Sequence, residues 1–264
     1  MRVVILCGGM GTRLKEETEF KPKPLVKIGN RPILWHIMKT YSHYGYQDFI
    51  LCLGYKGEMI KEYFYHYEIM NSDFTLTLGN PQSMKMHSCH EEDGWQITLC
   101  NTGDKALKGA RLKRVERYVD SGIFMVTYGD GVADINIREL VNFHKSHGKL
   151  ATVTGVRPLS RFGELSVRGN HVSAFSEKPQ SSGGLINGGF FVFDRQIFEY
   201  LEDRDDCDLE HGALEQLADS AQLMVYRHDG FWACMDTYRD LEYLNGLWTH
   251  GEAAWQVWST CEHG

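Results

Sequence analysis

No apolar run in this sequence approaches the 18 or so residues that a membrane-crossing helix needs. The first apolar stretch is V-V-I-L-C after a single arginine, ended by glycine, too short for the core of a signal peptide. No membrane partner is expected, and the chain reads as cytoplasmic. Positive charge is in short supply too: 28 Lys and Arg face 35 Asp and Glu, a formal charge of −7. A nucleic-acid partner usually shows as a basic domain or stripe, so none is expected, and a small anionic ligand needs a local basic pocket. Paired cysteines are missing as well. The seven, at 7, 52, 89, 100, 207, 234 and 261, form no C-x-x-C pair and sit mostly among apolar neighbours. They read as reduced packing residues, not as a disulfide framework. The stretch H-S-C-H-E-E-D at 87–93 carries metal-ligating residue types but no second ligand pair in spacing, and its polar surroundings favour a solvated loop over a zinc site. Repeats, low-complexity tracts and linkers are absent, which points to a single domain over 1–264.

What the sequence does have is regular alternation. With 42% hydrophobic residues, a chain of this length can bury roughly three quarters of its unfolded surface. Strand-like runs stand at 3–6, 48–53, 74–78, 96–100 and 123–128, and helical spacing at 32–41, 57–64 and around 110–119. Pro32 suits a first helical turn. The alternation predicts an α/β fold, a mostly parallel sheet with helices on both faces. Beyond Lys149 the texture is β-rich: L-A-T-V-T-G-V, then G-E-L-S-V-R-G-N-H-V-S-A-F with a hairpin turn at R-G-N, then N-G-G-F-F-V-F. Helices return at L-E-Q-L-A and D-T-Y-R-D-L-E-Y-L-N-G-L-W. Three parts of one domain result: 1–149, 150–240 and a C-terminal segment 241–264. The tryptophans of that last segment, Trp248, Trp255 and Trp258, could cap the core or bury themselves against a neighbour.

The densest signal is Cys7 to Pro24, C-G-G-M-G-T-R-L-K-E-E-T-E-F-K-P-K-P, directly after V-V-I-L. A Gly-rich turn leaving a first parallel strand sets unpaired N–H groups and a helix dipole at the carboxyl edge of the sheet, where anions bind. The same glycines could form only a tight turn. A dinucleotide fingerprint is excluded because Leu14 stands where G-x-G-x-x-G needs its last glycine and no acidic residue ends the run 48–53. A P-loop is excluded because no Gly-Lys-Ser/Thr follows. Arg13 stands just beyond the glycines, and Pro22 and Pro24 stiffen an extended segment around Lys23. A lysine so fixed is better explained as a phosphate ligand than as a solvated charge.

Together, G-G-M-G-T-R-L and K-P-K-P resemble the signature of the sugar-1-phosphate nucleotidyltransferases, and R-P-I-L-W-H-I-M-K, G-Y-K-G-E-M-I-K-E-Y-F, R-L-K-R-V, T-Y-G-D-G-V-A-D, E-K-P, I-N-G-G-F-F-V and G-F-W-A-C-M-D-T-Y-R-D extend it over about 1–257, towards the branch that uses CTP and glucose 1-phosphate. The resemblance implies a Rossmann-like three-layer αβα fold with a mostly parallel mixed sheet and a β-rich sugar-binding part. It implies a CTP-dependent transferase with Mg²⁺ as cofactor, a sugar 1-phosphate as second substrate, and a homo-oligomer, with a hexamer as one form. Position by position, Leu6, Cys7, Gly8, Gly9 and Met10 would line base and ribose, and Gly11, Thr12 and Arg13 would hold the β and γ phosphates. Lys23 would meet the nucleotide phosphates. Ala106 and Arg111 match nucleotide-contacting positions, Ala106 through its backbone only, and Gly129 would lie beside the ribose. Lys178 would hold the sugar phosphate; Glu177, Asn187 and Gly188 would face the sugar. Asp130 and Asp236 fall on metal-binding aspartates. Arg13, Lys23, Asp130 and Lys178 would be the catalytic set.

These residue types suit the chemistry. When a sugar phosphate attacks the α-phosphorus of a nucleoside triphosphate and pyrophosphate leaves, catalysis is chiefly charge neutralisation and in-line positioning. A phosphate monoester, with its second pKa about 6, needs no general base at neutral pH. His36, on an apolar helical face, is therefore expected to be a packed polar side chain. Asp236 also reads as a helix N-cap in D-T-Y-R-D-L. Two features depart from the branch: Asn101 stands where aspartate is usual, and L-E-H-G-A-L replaces a W-E-x-E-P-L-like run, both near the expected base or sugar. Other nucleotides or acceptors, and a noncatalytic nucleotide sensor, are the rival readings.

Overall fold

Seven strands carry the molecule, in a computed structural model that describes residues 1–9, 11–79, 83–87, 92–120, 122–158, 164–168, 170–176 and 184–259. They are β1 (Val3–Leu6), β2 (Asp48–Leu53), β3 (Gln96–Asn101), β4 (Ile123–Tyr128), β5 (Ala151–Val156), β6 (Ile186–Asp194) and β7 (Leu223–His228). Their order across the sheet is β7-β5-β6-β4-β1-β2-β3. All neighbours are parallel except β6, which runs antiparallel to both β4 and β5. The sheet is thus mostly parallel and mixed, and the part beyond 150 supplies three of its strands.

Successive residues of β1 feed opposite faces. Val3 and Ile5 join an apolar cluster with Ile33, Ile37 and Tyr41, while Val4 and Leu6 join another with Leu112, Phe198 and Leu217. Burial on both faces explains the unbroken apolar runs of the sequence. The first face is covered by α1 (Ile33–His43), α2 (Gly57–Tyr65) and α4 (Ile137–His147), the second by α3 (Lys108–Arg114) and the turns near 195–219; α5 (Tyr238–Thr249) closes the chain.

Several expected elements differ. The run 74–78 is a strand only at Phe74–Thr75, paired with Lys85–Met86 in a small exposed ribbon. The basic helix is displaced to Lys108–Arg114 and followed by a 3-10 turn at Glu116–Tyr118. Helix α4 and strand β7 are additions to the sequence reading. Asn136 signals the first, its side chain accepting the Glu139 N–H at 3.1 Å.

The C-terminal tryptophans cap the core of their own chain. Trp255 is fully buried and Trp258 nearly so. With Trp35 and Trp248 they surround His36, whose Nε2 lies 3.0 Å from the Ile28 carbonyl. Burial lowers the His36 pKa to about 4, so the imidazole is a neutral packing group, as expected of its position. Truncating the largest buried ring, Trp255→Ala, should cost about 3–5 kcal/mol of stability, read as a lower denaturant midpoint; a shift under 1 kcal/mol would make this segment a loose appendage.

Candidate active site

The chain leaves β1, β3 and β4 at one edge of the sheet, the carboxyl ends of parallel strands. There a cavity of about 790 Å³ opens, lined by residues from the loops after all three. Leu6, Cys7, Gly8, Gly9, Arg13, Lys23, Ala106, Arg111, Gly129, Asp130, Asn187 and Asp236 all line it. The shared cavity brings together residues more than 200 positions apart in sequence.

Local pairing explains how the two aspartates meet. Directly after Asp130, Gly131–Ala133 forms a two-stranded ribbon with Trp232–Cys234, register Gly131↔Cys234. The Met235 N–H extends the pairing by donating to the Asp130 carbonyl at 2.9 Å. Asp236 therefore lies beside Asp130. It is not the helix cap: Thr237 caps α5 in a reciprocal capping box with Asp240, leaving the Asp236 carboxylate free to face the cavity.

Both carboxylates converge on one cation. Lys23 Nζ donates to Asp130 Oδ2 at 2.6 Å and to Asp236 Oδ1 at 2.7 Å, while Arg13 Nη1 lies 3.0 Å from Asp236 Oδ2. Burial by itself would lower the Lys23 pKa, but the two carboxylates outweigh it and raise it. Burial would likewise raise Asp236; the Lys23 ammonium outweighs it and holds the carboxyl below its ordinary value. The two shifts run in opposite directions and both favour the charged form, so neither charge is lost between mildly acid and strongly basic pH.

Lys23 is held by a turn, not by an extended segment. Pro22 is extended, but Lys23–Leu25 is a 3-10 turn, with Val26 N–H donating to the Lys23 carbonyl at 3.0 Å. Pro24 fits inside because an early turn position requires no N–H. The expected helix after the glycines is one turn, Lys15–Thr18, too short for an appreciable dipole, so side-chain cations supply most of the field. Thr18 Oγ1 ties that turn back to the Gly11 carbonyl at 2.9 Å. Gly11 and Thr12 fall outside the cavity lining, and Lys21 pairs with Glu17 instead.

Arg111 is buried, and its guanidinium binds the surrounding loops together. Its Nη1 donates to Thr102 Oγ1 and to the Leu53 and Gly103 carbonyls, and its Nη2 to the Gly8 and Asp104 carbonyls, at 2.7–3.3 Å. One guanidinium thus ties the loops after β1, β2 and β3 into a common floor. Gly8 is required by that approach, since a Cβ there would lie 2.1 Å from the Arg111 guanidinium carbon.

At the other end of the cavity, Asn187 Nδ2 donates to the Tyr128 hydroxyl at 2.9 Å, and the Gly188 carbonyl accepts from Trp232 Nε1 at 2.8 Å. Gly188 itself is behind the lining. Lys108, Tyr128 and Trp232 also line the cavity and were not among the expected site residues. Met10, Glu177 and Lys178 lie outside the described residues.

Asn101 stands away from the cavity wall, its Oδ1 accepting the Gly103 N–H at 3.1 Å. Its departure from the branch pattern therefore alters a loop turn, not the lining. The 87–93 stretch is not wholly solvated either: Glu92 is buried and accepts from Trp35 Nε1 at 2.8 Å, while 88–91 lie outside the described residues. Among the described residues no cluster of three or more metal-ligating side chains occurs. Cys7, Cys52 and Cys100 are buried free thiols, as expected of packing residues.

The chain's relatives agree with this geometry. Residues 2–248 match the family described as Nucleotidyl transferase. The chain is 50% identical over 259 residues to the glucose-1-phosphate cytidylyltransferase of Salmonella typhimurium, covering 98% of this chain and 100% of the relative. The Salmonella typhi enzyme of that name matches to the same extent. Among solved structures, the inositol-1-phosphate CTP transferase of T. maritima superposes with a TM-score of 0.67 at 14% identity, covering 98% of both chains, which supports the fold. By sequence, over nearly its whole length, this chain belongs to the nucleotidyl transferase family.

Proposed function

We propose that the protein transfers CMP from CTP to α-D-glucose 1-phosphate, releasing pyrophosphate and forming CDP-glucose. One observation carries the reading: Arg13, Lys23, Asp130 and Asp236 meet in a single cavity at the carboxyl edge. The 50% identity to named glucose-1-phosphate cytidylyltransferases narrows the substrates.

The residues suit a hard divalent cation such as Mg²⁺. Two carboxylates already share one positive charge, and all donors are oxygens. With no third protein ligand among the described residues, phosphate oxygens and water would complete the shell. When bound, Mg²⁺ would neutralise charge developing on the phosphates.

The chain's own groups do the remainder. The Gly-rich loop seats the base and ribose beside Leu6 to Gly9, and Gly129 leaves room at the end of β4, where a Cβ would lie 3.0 Å from the Leu6 carbonyl. Arg13, 71% exposed at the rim, takes the outer phosphates. Lys23, tethered by its 3-10 turn, moves from the carboxylates onto the phosphate that accumulates charge. Lys178 and Glu177 would hold the acceptor's phosphate and hydroxyls, with Asn187 opposite. The acceptor phosphate, already a dianion near neutral pH, attacks in line without a protein base. A homo-oligomer remains part of the reading, though the tryptophans no longer argue for it, since they are covered within one chain.

The deciding measurement crosses the four NTPs with several sugar 1-phosphates, with and without Mg²⁺, and follows pyrophosphate release. CTP with glucose 1-phosphate should give the highest kcat/KM, and omission of Mg²⁺ should abolish it. Preference for another pair would keep the family and replace the substrates.

A further inference from the structure

Glu210 was picked out in the sequence only as part of an unusual run, yet its carboxylate reaches two residues that line the cavity. Oε1 accepts from the Tyr128 hydroxyl and from Lys108 Nζ. The ammonium of Lys108 also stands 5.0 Å from the centroid of the Tyr128 ring. The tyrosine hydroxyl accepts in turn from Asn187 Nδ2 at 2.9 Å. Four side chains therefore form one chain of contacts, Asn187 to Tyr128 to Glu210 to Lys108, three of them on the cavity wall.

The local backbone is built to aim Glu210. Its segment, Leu209–Leu214, is a wide π-type turn interrupted at His211 and Gly212, and Asp208 Oδ1 accepts the N–H groups of Glu210 and His211 at 2.7 and 3.2 Å. Gly189, at φ +82, clears the other side: a Cβ there would lie 2.4 Å from the Tyr128 ring. A second observation stands apart from these contacts. Glu210 Oε2 is buried with no hydrogen-bond partner among the described residues, a costly arrangement that a packing role would not retain.

We propose that Glu210 is a positioning residue for the acceptor, holding the Tyr128 hydroxyl and the Lys108 ammonium in place to meet the sugar 1-phosphate. The proposal rests on the acceptor assignment above. Asn187 marks this as the sugar end, whereas the nucleotide phosphates belong with Lys23 and Arg13. Sugar hydroxyls demand donors and acceptors at fixed positions, and a misplaced partner loses much of their binding free energy. Burial, reinforced by the Glu210 carboxylate, raises the Tyr128 pKa, so the phenol stays a donor to Glu210 throughout the working range.

The experiment measures KM for acceptor and nucleotide separately, using the substrate pair that the unaltered protein turns over fastest. Glu210→Ala should raise the acceptor KM by about tenfold or more and leave the CTP KM within about twofold. Glu210→Gln, which keeps an oxygen to accept from Tyr128, should raise it less. Tyr128→Phe should raise the acceptor KM alone, and the double variant Glu210→Ala/Tyr128→Phe should be no worse than the poorer single one, because the Tyr128 hydroxyl is one of the groups that Glu210 holds. Equal changes in both KM values, no change, or effects that multiply would overturn the proposal. If Glu210→Ala fails to fold, the Gln and Phe variants decide by the same KM split. Inactivity of the unaltered protein on every sugar 1-phosphate removes the proposed function and the acceptor role with it; activity with an unchanged KM ratio removes only the role of Glu210.

Discussion

Replacing Asp130 by asparagine should lower kcat by about a thousandfold or more while leaving the protein folded. The substitution keeps the shape of the side chain but removes one of two negative charges that face Lys23. Folding should survive because β4 and the ribbon that place residue 130 are fixed by backbone bonds, Met235 N–H to the Asp130 carbonyl among them, and the amide oxygen can still accept from Lys23. The reaction should not survive, because Asp130 would be one of the two carboxylates that hold Mg²⁺, which would supply charge neutralisation at the phosphates, and the variant would lose that anionic group. Loss of such a stabilising group typically costs about 3–4 kcal/mol of transition-state stabilisation, or two to three powers of ten. On the proposed metal role of Asp130, the effect belongs at the upper end. Stopped or continuous pyrophosphate release gives kcat, and a thermal melt reports folding. A change below tenfold in a folded variant would take Asp130 out of the reacting centre.

The strands of the nucleotide part were legible because burial on both faces forces continuous apolar runs. V-V-I-L, D-F-I-L-C-L and I-F-M-V-T-Y could hardly have been anything else in a chain with turns between them. Strand β7 was not, since L-M-V-Y-R-H lies at the sheet edge, where no residue is fully buried and Val225 and Arg227 are exposed. Helix α4 escaped because its buried apolar positions are few, Ile137, Leu140 and Val141, with the polar His144 completing the buried face.

The site divides similarly. Arg13, Lys23 and the Gly-rich loop were readable because their spacing is local and their residue types are chemically odd together. The meeting of Asp130 with Asp236 was suggested by resemblance, but its cause, a short ribbon between positions a hundred residues apart, leaves no local trace. Arg111 shows the opposite limit. The resemblance matched it to a nucleotide-contacting position; that its donors also tie together loop carbonyls could be revealed only by three-dimensional neighbours. Lys108 carried no signal of its own, and Tyr128 and Glu210 stood out only within the longer runs T-Y-G-D-G-V-A-D and L-E-H-G-A-L, because their significance lies in one another.

Lys23→Met should be as damaging to turnover as the loss of Asp130, with a distinct signature in stability. In the folded protein the ammonium stands between Asp130 and Asp236 at 2.6 and 2.7 Å, with its own side chain only 11% exposed. Its removal leaves two carboxylates facing each other across a partly buried gap, with only rim-exposed Arg13 remaining beside Asp236. Breaking a pair of this kind by deleting one partner costs several kcal/mol when fully buried; partial exposure of the carboxylates reduces that to about 1–2 kcal/mol. A divalent cation can fill the place of the ammonium, since it prefers the same oxygens. Mg²⁺ without nucleotide should therefore raise the melting temperature of Lys23→Met more than that of the unaltered protein, in which metal must first displace the lysine. Turnover should still fall by about a thousandfold with Mg²⁺ saturating, because the restored charge stays with the carboxylates and no tethered cation follows the phosphate. If Mg²⁺ stabilises both proteins equally, the two aspartates do not form a shared cation site; if turnover returns with metal, Lys23 serves the carboxylates alone and not the nucleotide.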